Sequence, residues 1–449
     1  MTNAGRGGPR MMCRDRKAPL ARQDWITPVN AAITRLIRHP LARNAVALYA
    51  VQGLNFLLPL AVLPYLLRTL SAEGYGSIVF AQALMGYAII LTEFGFNLTA
   101  ARDISIARDD PVKVARIYWT TMAAKALLLA VSTALMTVVV LADGAFRRQW
   151  PVFAVCGLLA VGNVAFPTWY FQGLERLRTV AVVQAVSKCV IAAGVFLMVR
   201  SPRDLLLAAF LMSSPQLIAA LTARALGIHV APRLRFRPSW ADVRAALADG
   251  TDLFLAIAST TLYLHTNAFV LGLVAGDRSV AYYGLGNRLI QAVQGLTTPV
   301  TQAVFPRASL LLASNPARAW QLIRRTAALL LPGLAAVSVL MAVMAPSLVR
   351  LVGGGKYAAA APVLRIMAPL PLLVTAAALL SQIVMVNLGL TRTLRRIYFA
   401  VGVLNLALLP GLVLWRQAEG AATALVVAEA VGPVLMMISL RRHLRGNVA

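Results

Sequence analysis

Between Asn44 and Leu440 the chain consists largely of apolar stretches of roughly 20 residues, joined by short connections rich in arginine. A helix rises about 1.5 Å per residue, so each stretch is long enough to cross the roughly 30 Å hydrocarbon core of a bilayer. Hydrophobic residues make up 59% of the 449 and charged residues only 13%, with a mean hydropathy of +0.73. A soluble globular chain carries about 25% charged residues, so a soluble reading would require a core without a surface. The chain is therefore expected to be an all-α polytopic membrane protein.

Spans are expected near 44–67, 77–101, 118–141, 150–171, 179–199, 204–223, 252–274, 281–305, 327–349, 362–387, 397–415 and 420–440. The number is even, which puts both termini on one side. Of the 43 Lys and Arg, about 30 fall in the tails and even-numbered connections and about 9 in the odd ones, so both termini are expected to be cytoplasmic. The formal charge of +27 is then a positive-inside signal. It is scattered over many connections rather than gathered on one basic and aromatic stretch, so no nucleic-acid partner is expected.

Residues 1–43 are Arg-rich and lack an apolar core or small-residue cleavage site, which points to a cytoplasmic tail rather than a signal peptide. Ile33, Leu36 and Ile37 alternate with Arg35 and Arg38 at helical spacing, which fits either a helix on the inner leaflet or a disordered basic arm. Residues 44–223 form a first group of six spans, 224–251 a cytoplasmic linker, 252–440 a second group of six and 441–449 a cytoplasmic tail. Within the linker, Ser239 is placed to cap a short amphipathic helix through Leu247, with Gly250 as its break. The two groups carry a weak internal repeat: Tyr75-Gly76 matches Tyr283-Gly284, and Gly173-Leu174-Glu175-Arg176 matches Gly389-Leu390-Thr391-Arg392.

Charges inside spans are the informative exceptions, because an ionised side chain at the bilayer centre costs several kcal/mol unless it faces protein or a water-filled cavity. They are Glu93, Lys125, Lys188, Asp252, Arg288, Arg365 and Glu429. Lys125 and Lys188 lie about 12–15 Å along their helices, too deep to snorkel to an interface. With Arg288 from the other group they would line a cationic cleft suited to an anionic substrate. The alternative is a set of buried ion pairs with Glu93 or Glu429. Glu93 and Glu429 are candidates for coupling to a proton or sodium ion. Asp252, a further acidic candidate, sits with Arg365 within a turn of a span end. His265 beside Asn267 fits a proton site or a hydrogen-bonded helix contact. Pro59 and Pro64 remove backbone hydrogen bonds from the first span and suit a gating helix; Pro299, Pro306, Pro362, Pro369 and Pro371 extend the pattern.

The chain has no HExxH, no Walker lysine loop and no GxSxG elbow, and no sizeable extramembrane segment to hold a catalytic site. Cys13, Cys156 and Cys189 lack pairing or metal-ligand spacing, so no metal centre is expected. The external connections are too short to present an acceptor and a base, which disfavours a membrane glycan polymerase or ligase. A transporter remains.

The run NAVALYAVQGLNFLLPLAVLPYLLRTLSAEGYG from Asn44, followed by FAQALMGYAIILTEFGFNLTAARDISIARDD, resembles the opening of Wzx-type O-antigen and polysaccharide flippases of the MOP exporter superfamily. The resemblance is carried by the proline pair before Tyr65 and Arg68, Tyr75-Gly76, Gln82 and Tyr87, the acid before Gly95-Phe96-Asn97, and Arg102. Pro167-Trp169-Tyr170-Phe171-Gln172-Gly173 and Asn287-Arg288 extend it more loosely. It implies a MATE-like fold of two six-helix lobes in the inner membrane of a bacterium. The implied function is flipping of undecaprenyl-diphosphate-linked repeat units by alternating access, for O-antigen or exopolysaccharide synthesis. Implied partners are that glycan, the bilayer, and polymerase and chain-length machinery; no cofactor is implied beyond a coupling H+ or Na+. Arg68, Arg102, Lys125, Lys188 and Arg288 become candidate ligands for diphosphate or acidic sugar. Arg68 and Arg102 fit interfacial anchors equally well, and Tyr65, Tyr87, Trp169 and Tyr170 fit either sugar stacking or an interfacial belt. The basic tail is longer than the resemblance needs, making Met11 or Met12 a candidate start. The competing expectation is a multidrug extruder of the same superfamily, which calls for an apolar or anionic cavity.

Overall fold

A computed structural model of the 449-residue chain describes residues 58–142 and 144–446. The basic tail, the start of the first span and Cys13 lie outside the described residues, as do the side chains of Asp252, Pro299 and Pro306.

Regular structure among the described residues is helical. The N-terminal half comprises Leu58–Thr69, Ala72–Glu93, Phe96–Ala107 and Pro111–Ala142, then Trp150–Cys156, Leu158–Ala165 and Thr168–Gly173 within one span, Leu177–Met198, and the pair Leu205–Ser213 and Pro215–Ala225. The C-terminal half comprises Trp240–Ser314, Pro316–Gly353, Ala360–Met367, Leu370–Ala378, a π-helical turn at Leu379–Met385, and Thr391–Gly446. Among the described residues, seven helical stretches are long and apolar enough to cross a membrane, or eight counting the last N-terminal pair, which is bent by 61°.

Two breaks lie where the sequence separates adjacent spans. Gly276, at φ 76°, interrupts Trp240–Ser314, and Arg416 with Gln417 at φ 47° interrupts Thr391–Gly446. Left-handed backbone is cheap for glycine and uncommon for a residue with a Cβ. Two other boundaries depart from expectation. The span expected at 77–101 falls within the apolar stretch Ala72–Ala107 but is broken inside it: Phe94 and Gly95 are both left-handed (φ 43° and 78°), so one helix stops at Glu93 and another starts at Phe96. Ser239 does cap a helix, its hydroxyl accepting from the Asp242 N–H at 3.2 Å. That helix does not stop at Gly250. It runs on into the next span, and Gly250 instead lets the Phe94 carbonyl approach to 2.8 Å of where a Cβ would stand.

Exposure sorts inner helices from outer ones. In the most apolar window of Ala72–Ala107, 61% of the residues are buried, against 17% for Pro316–Gly353, so the first is central and the second faces lipid. Lipid is as apolar as leucine, so helices in a bilayer associate through close packing and polar contacts rather than through the hydrophobic effect. Small residues supply that closeness here. A Cβ on Gly76 would collide with the Asp277 carbonyl, one on Gly86 with the His265 ring, and one on Gly272 with the Phe80 ring. These contacts seat Ala72–Glu93 directly against Trp240–Ser314, which also packs extensively on Thr391–Gly446.

Candidate functional site: cavities between the two halves

Three adjoining cavities run from the seam between the halves into the C-terminal half, whose residues alone line the third. The first, about 350 Å³, is lined by Pro59, Leu63, Tyr75 and Lys188 of the N-terminal half and by Arg288 of the C-terminal half. The second, about 270 Å³, shares Gln82, Leu159 and Arg288 with the first and adds Gly86, His265 and Asn287. The third, about 570 Å³, shares His265, Tyr283, Asn287 and Gln291 with the second and reaches Gln294, Gln382, Tyr398 and Glu429. Lys188 and Glu429 thus stand at opposite ends of the series, with Arg288 between them.

The walls are held by short polar contacts. Gln82 Nε2 donates to Ser213 Oγ at 3.2 Å, the Tyr87 and Thr266 hydroxyls lie 2.8 Å apart, and the Arg288 guanidinium lies beside the Tyr75 hydroxyl. Tyr75 and Tyr283, the repeat-matched tyrosines, both face this series of cavities, from opposite halves.

Lys125 has a different setting. It is 1% exposed, lines none of these three cavities, and donates from Nζ to Asn163 Oδ1 at 3.2 Å. Asn163 Nδ2 in turn donates to Glu93 Oε1 at 2.9 Å, so two residues expected to serve cargo and coupling meet in a bridged network inside the N-terminal half. Arg68 and Arg102 are exposed and act as ties. Arg68 donates to the Leu351 carbonyl at 2.5 Å across the halves, and Arg102 pairs with Asp103 at 2.9 Å and Asp249 at 3.4 Å. Arg365 is also exposed and donates to the Ala342 carbonyl at 3.3 Å. Pro59 lines the first cavity within a helix that continues past Pro64 to Thr69.

The halves touch at both ends of the cavities. At one end Arg278 pairs with Glu73 at 2.9 Å and Gln149 donates to Asp277 at 2.6 Å. At the other, Phe94 stacks on Phe254 with ring centroids 4.4 Å apart, and Arg116 pairs with Asp242 at 2.7 Å. The Arg116 guanidinium, then the Ser239 hydroxyl, hold the Asp242 carboxyl down to about 2.

Charge alone does not single out Gln291, Gln294 or Asn163. Tyr283, Asn287, Gln291 and Gln294 are spaced 4, 4 and 3 apart, one face of a helix, and polar groups repeated on one face of an apolar span are themselves a site signal. Asn163 carries no such periodic signal.

Comparison with known proteins agrees with this architecture. Residues 41–311 match the model of the family described as "Polysaccharide biosynthesis protein". An Escherichia coli (strain K12) protein named "Putative O-antigen transporter" is 32% identical over 403 residues, covering 90% of this chain and 97% of that protein. Among solved structures, the lipid II flippase MurJ in an inward closed conformation aligns with a TM-score of 0.70 at 12% identity, over 88% of this chain and 87% of its own. An inward-facing MATE multidrug resistance transporter of the MOP superfamily aligns at 0.64 and 12% identity, over 87% and 98%. The fold is thus the MOP-superfamily transporter fold, and the chain belongs to the polysaccharide biosynthesis protein family.

Proposed function

We propose that this protein flips undecaprenyl-diphosphate-linked oligosaccharide repeat units across the cytoplasmic membrane of a bacterium. It would do so by alternating access between two six-helix lobes, residues 44–223 and 252–440, joined by the linker 224–251. The single observation that carries this reading is that Lys188 and Arg288, from different halves, line one cavity whose remaining wall is largely apolar. Cations beside apolar surface suit a diphosphate attached to a prenyl chain, and arginine adds bidentate geometry for phosphate oxygens. The relative named for O-antigen transport supports the same cargo.

The positive-inside rule assigns the Arg116–Asp242 end to the cytoplasm and the Glu73–Arg278 end to the periplasm. Alternating access then breaks one set of ties at a time, with Pro59 and Pro64 letting the first span bend. Lys125 serves through its network with Asn163 and Glu93 rather than by touching cargo. Glu93, Glu429 and Asp252 are the acidic groups through which a proton or sodium ion would be coupled.

The test is transport by purified protein in proteoliposomes, following a fluorescent undecaprenyl-diphosphate-linked glycan in parallel with efflux of a cationic dye. Glycan movement without dye efflux, reduced about tenfold or more in Lys188→Ala with Arg288→Ala, is expected. Dye efflux alone, or full glycan transport in that double variant, overturns the proposal.

A further inference from the structure

The largest of these three cavities differs in chemistry from the one that holds Lys188 and Arg288. Its polar lining is built from amides, Asn287, Gln291, Gln294 and Gln382, together with Tyr398 and Glu429. No lysine or arginine lines it among the described residues. Gln382 stands on the π-helical turn Leu379–Met385. Such turns are rare and often mark functional positions, because the extra residue widens the helix locally and re-aims a side chain.

We propose that this cavity is the glycan chamber, and that it accepts neutral, hydroxyl-rich sugars while rejecting sugars that carry a carboxylate. The inference rests on the flippase reading above and names the sugar class that reading leaves open. A sugar hydroxyl both donates and accepts, and so does a primary amide, so four amides can follow a run of hydroxyls without imposing charge. Tyr398 adds an apolar ring face with a polar tip. A carboxylate on the sugar would need a cation, which the lining lacks, and would share the cavity with Glu429. Specificity of this kind comes from an unfavourable contact with the wrong ligand as much as from a good contact with the right one. A volume of about 570 Å³ is far larger than a bare coupling ion needs. It falls within the roughly 300–1,000 Å³ typical of organic ligand sites.

The experiment uses the full-length protein in proteoliposomes and two undecaprenyl-diphosphate-linked glycans that differ only in one hexose, intact or oxidised at C6 to the uronic acid. The intact glycan is expected to move at least about tenfold faster, a floor well below what one close like-charge contact at an effective dielectric of about 20 would impose. Gln382→Lys is expected to narrow or invert the ratio, and Gln291→Lys, on a separate helix, to do the same where Gln382→Lys fails to insert. Equal rates in the wild-type protein, or a ratio unmoved by both lysine variants, overturn the glycan-chamber assignment alone. Movement of neither glycan overturns the flippase reading and this inference with it.

Discussion

Replacing Asn163 with leucine removes both hydrogen bonds of the Lys125–Asn163–Glu93 bridge in one step while keeping side-chain size roughly constant. A hydrogen bond to a charged group contributes about 1.5–3 kcal/mol, and stranding one partner of a buried charged contact costs about 3–5 kcal/mol. Polar contacts between helices in lipid are weaker, averaging about 0.6 kcal/mol, because the unfolded chain in the membrane also finds partners. The larger figure governs here, since Lys125 is 1% exposed and its ammonium would be left without Asn163. Asn163→Leu is therefore expected to lower stability by about 3 kcal/mol. Adding Lys125→Met removes the stranded charge along with its lost partner, so the double variant should recover about 2 kcal/mol of that loss. The assay is reversible denaturation of the detergent-solubilised protein, followed by tryptophan fluorescence. A single variant within about 0.5 kcal/mol of wild type, or a double variant less stable than the single, refutes the view that the bridge neutralises a buried cation.

Two further outcomes follow from the ties at the ends of the seam. In a Cys13→Ser, Cys156→Ser, Cys189→Ser background, Glu73→Cys with Arg278→Cys replaces the 2.9 Å ion pair, and oxidation should cut glycan transport at least about tenfold, reversibly with reductant; unchanged transport means that this end need not open. Asp242 is held down to about 2 by Arg116 and Ser239, so its carboxylate favours the folded linker above the ordinary value of 3.8, and that contribution fades as pH falls towards 2. A spin label at position 244 should stay ordered from about pH 7 to about pH 4 and loosen only below, whereas loosening already near pH 6 contradicts the assignment.

What the sequence carried best was axial information. Apolar length and arginine-rich connections give the order of spans, and the breaks at Gly276 and at Arg416-Gln417 fall between the spans the sequence separates. The Ser239 cap was legible because capping is local, set by a side chain and an N–H three residues on. Gly250 was misread because a glycine that ends a helix and a glycine that admits a neighbouring backbone look the same in one dimension. Only the Phe94 carbonyl, 156 positions earlier in the chain, distinguishes them.

The site divides along the same line. Lys125 and Lys188 lie at similar depth in their spans, so every argument from depth treats them alike; yet one is sealed against Asn163 and the other lines a cavity. Depth fixes the cost of a charge in lipid, but the angle around the helix fixes what relieves it, and that angle depends on which helices pack on either side. Hydropathy is nearly uniform around such helices, so it defines no buried face from which to infer the angle. The stripe of Tyr283, Asn287, Gln291 and Gln294 escapes this limit because four polar groups on one face fix the angle by themselves. A lone charge in an apolar span therefore locates a functional membrane depth, whereas a periodic run of neutral polar residues locates a functional face. In this chain the second kind of signal marks one wall of the largest of the three cavities, where Glu429 alone gives a depth and no face.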